Sequence, residues 1–438
     1  MHALIEEARA RVDGAELHWH RRRSTTVNYQ NYQLQGVSEE ELSSVALRVI
    51  DHGRTGTAFG IFPDGACLLY DAVAAAAHGD PATFAFAGPA RYPAVENGDP
   101  ATADLDSAVL VERCESIVRR VRNELPAIAL RAHAEAETDH RVIETTSGAA
   151  GENCTSGLSI AFGAPFKGVG VGVYKSARST SPFWVDDSLI EEFVEWYRWG
   201  DVTSTPSTGR LPILLAPDAA YLLLLPLLFG LSGNAVRKGT SPLIDRVEER
   251  ILSEALTIVD NPLRAGDPES RPFDDEGVPC ARRVLVKNGL LKGFILDLES
   301  AAALDQPPTG NGLKRALFGS GTELPPTPWF VNPEVEPGAT PWRQMLTTLD
   351  EGLLITGGMG FHSGNYPQGH FAVQAIGFHV RSGRVVGRLD QTMISGNIYH
   401  DLLRVRAVSA ERRPCAAGLL SGGLAPFILI DSMQVTGR

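Results

Sequence analysis

Residues 219–241 read AAYLLLLPLLFGLSGNAVRKGTS, an almost unbroken apolar run followed by a glycine-punctuated polar turn. Such a run has to be buried, and its length decides in what. It is interrupted by Pro226 and falls short of the ~20 apolar residues that a membrane-spanning helix needs, so it is expected in a protein core. Asp218 can start a helix here. Pro226 removes an i→i−4 bond, at about 3 kcal/mol in a regular helix, which predicts a kink or split and an end at Gly230 or Gly233.

The core that receives this helix belongs to a long chain. At 438 residues it exceeds the ~250–300 at which single cores stop growing, so two domains are expected. A hydrophobic content of 43% with 21% charged residues supplies a packed fold throughout, with no segment of disorder-like composition. The net charge of −12 argues against binding a polyanion unless the basic residues gather on one face. The one compact basic run, residues 21–23, is read as a solvated strand end. Five cysteines without a CxxC pair indicate neither a disulfide framework nor a zinc knuckle, and a reducing, cytoplasmic setting fits best. The first residues, MHALIEEARARVDG, form a charged amphipathic pattern without an apolar h-region, so no signal peptide is expected.

Read in order, a first helix leads into a β-rich stretch over 15–32, then short strands over 45–50 and 55–61 joined by Asp51-His52-Gly53-Arg54, a hairpin turn. An alanine-rich helix covers 67–78. After a Gly/Pro-rich loop over 81–100 and a helix over 105–125, strands are expected over 141–146, 158–162 and, glycine-rich, 168–176. A helix over 188–199 follows, capped by Asp187 or Ser188. This order suggests a duplicated β-β-β-α unit within 1–200. The tract 202–210, VTSTPSTGR, has linker chemistry and divides an N-terminal α+β domain, 1–205, from a C-terminal β-rich domain, 210–438. Beyond it come a strand over 211–215, a hairpin of 282–287 and 289–296 about Asn288-Gly289, and strands over 353–356, 371–380, 385–389 and 426–430. A helix near 397–404 interrupts them. The fold class is α+β: a duplicated β-β-β-α mixed sheet, then a mainly antiparallel β domain with a few helices.

Catalytic signatures are tested by inspection. No histidine is followed by glutamate, so neither HExxH nor HExxxH exists and a zincin site of that type is excluded. No GxSxG elbow or P-loop occurs. His362, His370 and His379 share one segment, but a metal cluster would require them to converge with a carboxylate or thiolate; ordinary hydrogen-bonded histidines are preferred. Cys415 and His400 could be imagined as nucleophile and base, yet nothing in the spacing requires it.

One block is specific. Residues 261–304 contain SRPFDDEG (270–277) followed by an Asn-Gly hairpin and a Lys292-Gly293-Phe294 step. With Thr309-Gly310-Asn311-Gly312, the glycines of 357–360, Ser395-Gly396-Asn397 and RRRSTTV near the start, this closely resembles the TldD/PmbA (TldD/TldE) family. The resemblance implies a two-domain α+β fold that pairs into dimers. In the metal-bearing branch it implies a zinc peptidase that uses HExxxH on a helix and a later cysteine. A partner branch lacks the ligands and completes a shared peptide chamber.

Leu231-Ser232-Gly233-Asn234 and residues 237–241 align with the LEGD and RRGTS that follow the metal helix in that family. Counting back places the two histidines and the glutamate on Leu224, Phe229 and Leu225, none of which can bind zinc or act as a base. Cys415 lies roughly where the third ligand would be. The expectation is a TldE-like, non-metal subunit with no catalytic residue and no cofactor of its own, zinc being held by an HExxxH-containing TldD-like partner. It would stabilise that partner and form part of a chamber for small or unfolded peptides, with Gly357, Gly358, Met359 and Gly360 letting a peptide backbone approach closely. No nucleic acid and no membrane are expected as partners. The alternative is a stand-alone, homodimeric peptide-binding or assembly protein without catalysis; whether dimers are homo- or heterotypic stays open at this point.

Overall fold

Alternation along the first strands decides how the N-terminal sheet is used. The structure, a computed structural model, describes residues 2–61, 67–317, 319–360, 364–415 and 422–437. Helix α1 (His2–Arg9) precedes β1 (Gly14–Gln30), β2 (Gln33–Asp51), β3 (Arg54–Ile61) and α2 (Leu68–Ala76). After a short α3 (Pro100–Ala103), α4 (Ser107–Glu124) precedes β4 (Arg131–Thr145), β5 (Ala150–Pro165), β6 (Gly172–Ser179) and α5 (Asp187–Trp199). The six strands form one sheet in the order β3-β2-β1-β4-β5-β6. The expected duplication is therefore present, with β1 and β4 side by side at its centre and a helix leading each half. Every neighbouring pair is antiparallel, so the pairing is not mixed.

The helices share one face of this sheet. Ala132, Ala134 and Ala136 alternate along β4 and are buried, and α4 packs Leu110, Cys114, Ile117 and Val121 against them. Small side chains on the strand let the helix approach closely. Nearer the chain start, Leu17, Trp19, Leu47 and Val49 receive α1 and α2. Two hairpins turn where the sequence placed them, with positive φ at His52 and Gly53 and at Asn288 and Gly289, as tight hairpin turns require. Other boundaries moved. Strand β2 extends back to Gln33 through ten exposed residues, whose polarity concealed a strand that pairs with β1. Residues 168–171 form a turn before β6, and Asp186 rather than Asp187 or Ser188 caps α5 by accepting from the Ser188 amide at 2.8 Å.

The second sheet is built from β7 (Thr203–Ser204), β8 (Gly209–Leu215), β9 (Ile258–Asp260), β10 (Arg283–Lys287) and β11 (Leu290–Leu291), then β16 (Pro333–Val335) through β22. The short pairs β12 (Gly312–Leu313) with β15 (Thr327–Pro328), and β13 (Arg315–Ala316) with β14 (Gly319–Ser320), stand apart from it. Its long members are β17 (Glu351–Met359), β18 (His370–Arg381), β19 (Arg384–Leu389), β20 (Met393–Asn397), β21 (Val405–Pro414) and β22 (Leu424–Thr436). Most neighbours are antiparallel, but β8–β17, β16–β22 and β7–β19 are parallel. Strand β7 lies inside the tract read as a linker, so that tract is partly ordered by the second sheet. Helices α6 (Tyr221–Leu231), α7 (Gly233–Arg237), α8 (Leu298–Ala303), α9 (Trp342–Thr347) and α10 (Ile398–Asp401) complete the protein.

Helix α6 runs through Pro226 as one element and ends at Leu231, rather than splitting. Burial on every side explains this: ten of its eleven residues are buried, and its tyrosine and leucines sit in the largest apolar cluster, so packing outweighs the missing amide. A second cluster crosses between the sheets, where Trp196 of α5 meets Trp342 and Phe378 edge-on at 6.0 and 6.1 Å. Among the described residues no helix is long and apolar enough to cross a membrane. Leu225 is fully buried, and Leu225→Ala is expected to cost about 2–5 kcal/mol, read as a lower denaturant midpoint. A loss below about 1 kcal/mol would contradict this packing.

Candidate functional site

The three positions singled out on α6 are apolar in their surroundings as well as in identity. Leu224 and Leu225 are buried among hydrocarbon. Phe229, half-buried, stacks on Tyr366 at 6.0 Å and 11° and meets the edge of Trp329 at 6.3 Å. A Cβ on the next residue, Gly230, would stand 1.9 Å from the Tyr399 hydroxyl, so α10 closes directly over the helix. The Ser241 hydroxyl donates to the Gly230 carbonyl at 2.6 Å and fixes the turn beyond it. The residues present on α6 do not fit a zinc ion, because it offers no imidazole, carboxylate or thiolate.

Cys415 is buried, and burial pushes its thiol up to about 12, while His400 is exposed on α10. A nucleophile needs the thiolate and a base in reach, and burial disfavours the thiolate here. His370 and His379 do not converge either. His379 is fully buried, 2.8 Å from the Ser204 hydroxyl and 3.3 Å from Glu351. His370 opens the same 12-residue strand, roughly 30 Å away at ~3.3 Å per residue, and His362 lies outside the described residues.

Residues Gly357, Gly358 and Met359 end β17 and Gly360 follows it, where β8 no longer pairs with the strand; that ladder covers only Leu353 to Ile355. The backbone of Gly358 is nonetheless engaged. Its amide donates to the Tyr221 hydroxyl at 3.0 Å, and that hydroxyl donates to the Gly358 carbonyl at 2.9 Å. The first residue of α6 thus occupies both groups that an added strand would use. A Cβ on Gly358 would meet Val373 at 2.8 Å, whereas one on Gly357 meets nothing closer than 3.7 Å.

The segment SRPFDDEG turns out to be a buried joint. Residues 270–278 are all buried. Asp274 accepts from the amides of Glu276, Val278 and Gly312 at 3.0, 2.9 and 2.8 Å. Asp275 accepts from Arg271 and the Lys314 amide, both at 2.8 Å. Glu276 accepts from Arg48 of β2 at 2.8 Å and from the Leu298 amide opening α8 at 2.7 Å. Its glycine partners are needed for space: a Cβ on Gly312 would lie 2.2 Å from the Glu276 carboxylate. The motif therefore ties the TGN turn, α8 and the N-terminal sheet together.

Above this joint lies a charged cleft that sequence reasoning missed. On the sheet face away from the helices, His18, His20 and Arg22 of β1 lie beside Ile143, Arg141 and Asp139 of β4, with Glu137 and Glu135 following. The run Arg21–Arg23 is split by strand alternation. Arg21 and Arg23 reach Glu41 on one face, while Arg22 crosses to Glu135 and Glu137 at 2.8 and 2.6 Å on the other. The cleft, with lobes of about 50 and 310 Å³, is closed by Glu269, Arg271 and Arg315. Burial holds His18 below its ordinary value and raises Glu137 to about 7 against the pull of Arg22. Burial also opposes the charge on Asp139, but Arg141 and the hydrogen-bonded His20 hold that carboxyl below its ordinary value. The signal was available: Glu135, Glu137, Asp139 and Arg141 are charged at every second position, a period-two face.

Two outcomes follow. Gly357→Ala is expected to leave the thermal midpoint within a degree or two, whereas Gly358→Ala lowers it clearly; equal effects would contradict the Val373 contact. For Glu137, a folded value near 7 against an ordinary 4.5 means that its contribution is fully present below pH 4.5 and is lost as pH rises through 7. Glu137→Gln should therefore lose less stability than the parent between pH 4.5 and 7 in urea titrations. Parallel curves would refute the raised value.

Comparison with known proteins agrees with this geometry. Residues 208–437 match the family described as PmbA/TldA metallopeptidase C-terminal domain. Among curated relatives, the metalloprotease PmbA homolog of Haemophilus influenzae is 25% identical over 258 residues, 59% of this chain and 52% of the relative. The zinc metalloprotease TldD homolog of Saccharolobus solfataricus is 29% identical over 244 residues, 53% of each. The chain spans about half the length of the curated relatives it matches. The crystal structure of TldE from Thermococcus kodakarensis superposes with a TM-score of 0.89 at 23% identity, covering all of both chains. A Thermotoga maritima protein described as a putative modulator of a DNA gyrase gives 0.81 at 21%, covering 97% of this chain and 96% of that one. At such identities the superpositions show the fold alone. The chain belongs to the PmbA/TldD metallopeptidase family.

Proposed function

We propose that this chain is the non-metal, TldE-like subunit of a heterodimeric zinc metallopeptidase, and that it contributes structure and part of a peptide chamber rather than the reacting groups. One observation carries the reading. At the positions that align with HExxxH, the chain places Leu224, Leu225 and Phe229 on a helix sealed by Tyr366, Trp329 and Tyr399. A catalytic zinc needs three protein ligands and an open position for water, and a hydrocarbon core supplies neither. The full-length likeness to a protein named TldE, and relatives named zinc metalloprotease TldD and PmbA, support the pairing with a metal-bearing homologue.

The chamber wall contributed by this chain has two parts with different chemistry. The charged cleft on the β1–β4 face offers Arg22, Arg141 and Arg315 beside Glu135, Glu137 and Glu269, a surface that orients polar and terminal groups of a peptide. The β17 edge at Gly358 offers main-chain pairing only after the Tyr221 hydroxyl is displaced, so peptide binding there competes with an internal contact. Zinc, in this reading, is held by the partner.

Co-expression with an HExxxH-bearing homologue from the same genome tests the proposal. The two chains should co-purify, and chelator-sensitive peptidase activity should appear in the complex and not in this chain alone. Peptide cleavage by the isolated chain, lost on chelation, would overturn the assignment. Failure of the two chains to associate under any condition would overturn the pairing.

A further inference from the structure

On the helix-bearing face of the N-terminal sheet, three ligand types meet that nothing above uses. His140 of β4 pairs directly across from Cys154 of β5, and Glu152 precedes Cys154 by two residues, so strand alternation places all three side chains on one face. The His140 Nε2 lies 2.6 Å from the Glu152 carboxylate, and the donor atoms of the three residues lie within 4.8 Å of one another. Among the described residues, no other group of three such side chains reaches this spacing. The imidazole is held in place: the Trp19 ring meets it edge-on at 4.8 Å and 83°. Neighbouring Arg21 turns its guanidinium to Glu41 at 2.8 Å, which takes its charge away from the cluster.

We propose that His140, Glu152 and Cys154 form a site for a divalent transition-metal ion of the zinc class. The donor set selects the ion. Calcium and magnesium take oxygen ligands, whereas a thiolate with an imidazole and a carboxylate suits zinc and its neighbours. Zinc bonds of roughly 2.0–2.3 Å put tetrahedral ligand atoms somewhat over 3 Å apart. The Cys154 sulfur, within 4.8 Å of both other donors, closes toward that spacing on binding, and the His140–Glu152 contact opens by about half an ångström as its hydrogen bond is replaced by two bonds to the metal. Binding exchanges the Cys154 thiol proton for the ion and releases it to solvent. Three protein ligands leave a fourth position, and it faces a groove of about 770 Å³ lined by His140, Cys154, Asp99 and Arg21. A water or an anionic ligand group in that groove would complete the coordination. The ordinary reading of the same residues is a surface ion pair next to an unrelated thiol, and it predicts no metal affinity.

The full chain, stripped with chelator and titrated with Zn²⁺ in a calorimeter, should bind one equivalent. Co²⁺ in its place should give the near-ultraviolet charge-transfer absorption of a thiolate ligand. Cys154→Ser should abolish that absorption. His140→Ala should weaken Zn²⁺ binding by at least about tenfold, the lower end of what loss of even an outer partner costs. Cys67→Ser, which alters the other exposed cysteine, should change neither. Zn²⁺ should also protect Cys154, and not Cys67, from alkylation in the unmodified chain, a readout that does not depend on any variant folding. Absence of stoichiometric binding, a Co²⁺ spectrum without the thiolate band, or affinity that survives both substitutions would refute the site. Because none of the three residues lies on α6, zinc bound here without peptidase activity leaves the proposed subunit role intact.

Discussion

Arg48 is the hinge of the whole arrangement. It is a nearly buried guanidinium on β2 that bonds Glu16 of the same sheet at 2.9 Å and Glu276 of the SRPFDDEG segment at 2.8 Å, with Phe84 and Phe86 about 5 Å beneath it. Two carboxylates can be buried together only where a cation and amides satisfy them. Removing one partner of such a group costs about 3–5 kcal/mol because the other charge is left uncompensated. Glu276 also accepts the first amide of α8, so one side chain joins a strand of the first sheet to a helix of the second. A second joint repeats the device: Glu192 of α5 takes Lys175 of β6 at 2.6 Å and Arg413 of β21 at 2.8 Å. The two sheets are held by buried ion pairs at two points and by the aromatic cluster around Trp196 between them.

These joints give the most recognisable sequence block a structural role. In SRPFDDEG every charged side chain is used to satisfy backbone amides or another buried charge. Such a network tolerates little substitution, because each unsatisfied group pays the full desolvation cost. The segment was therefore legible as a family mark from sequence, while its role was not, since its partners Arg48, Gly312 and Leu298 lie far away along the chain. The same distinction holds elsewhere. The hairpins at His52-Gly53 and Asn288-Gly289, the duplicated strand order and the buried run of α6 were readable because they rest on local rules of turn geometry and periodicity. The exposed half of β2 was not, because its ten exposed residues become a strand only by pairing with β1.

The charged cleft falls between these cases. Strand alternation wrote Glu135, Glu137, Asp139 and Arg141 onto one face in plain view, but a charged period-two face also describes a solvated strand. What distinguishes the cleft is that Glu269, Arg271 and Asp275, with residues 315–317 and 319–320, come down over it, beside the Arg48–Glu276 joint. Burial then separates the carboxylates by environment, raising Glu137 and leaving Asp139 ionised beside His20 and Arg141. The electrostatics of the candidate peptide surface are thus a consequence of the structural joint beneath it.

Helix α6 is apolar in its surroundings as well as in its sequence. Reversing its identities with L224H, L225E and F229H would not recreate a metal site, since position 225 is fully buried in hydrocarbon. A carboxyl placed there has no amide or cation to satisfy it and would be held protonated, unable to act as a base. The histidine at 229 would take the place of a ring stacked on Tyr366 and would gain no solvent-filled cavity, because Tyr399 already closes over Gly230. The apolar identity of these three positions and the packing of their neighbours are therefore one feature. The helix is a core element whose first residue, Tyr221, also covers the β17 edge at Gly358, so packing sets both the helix and the strand edge beside it.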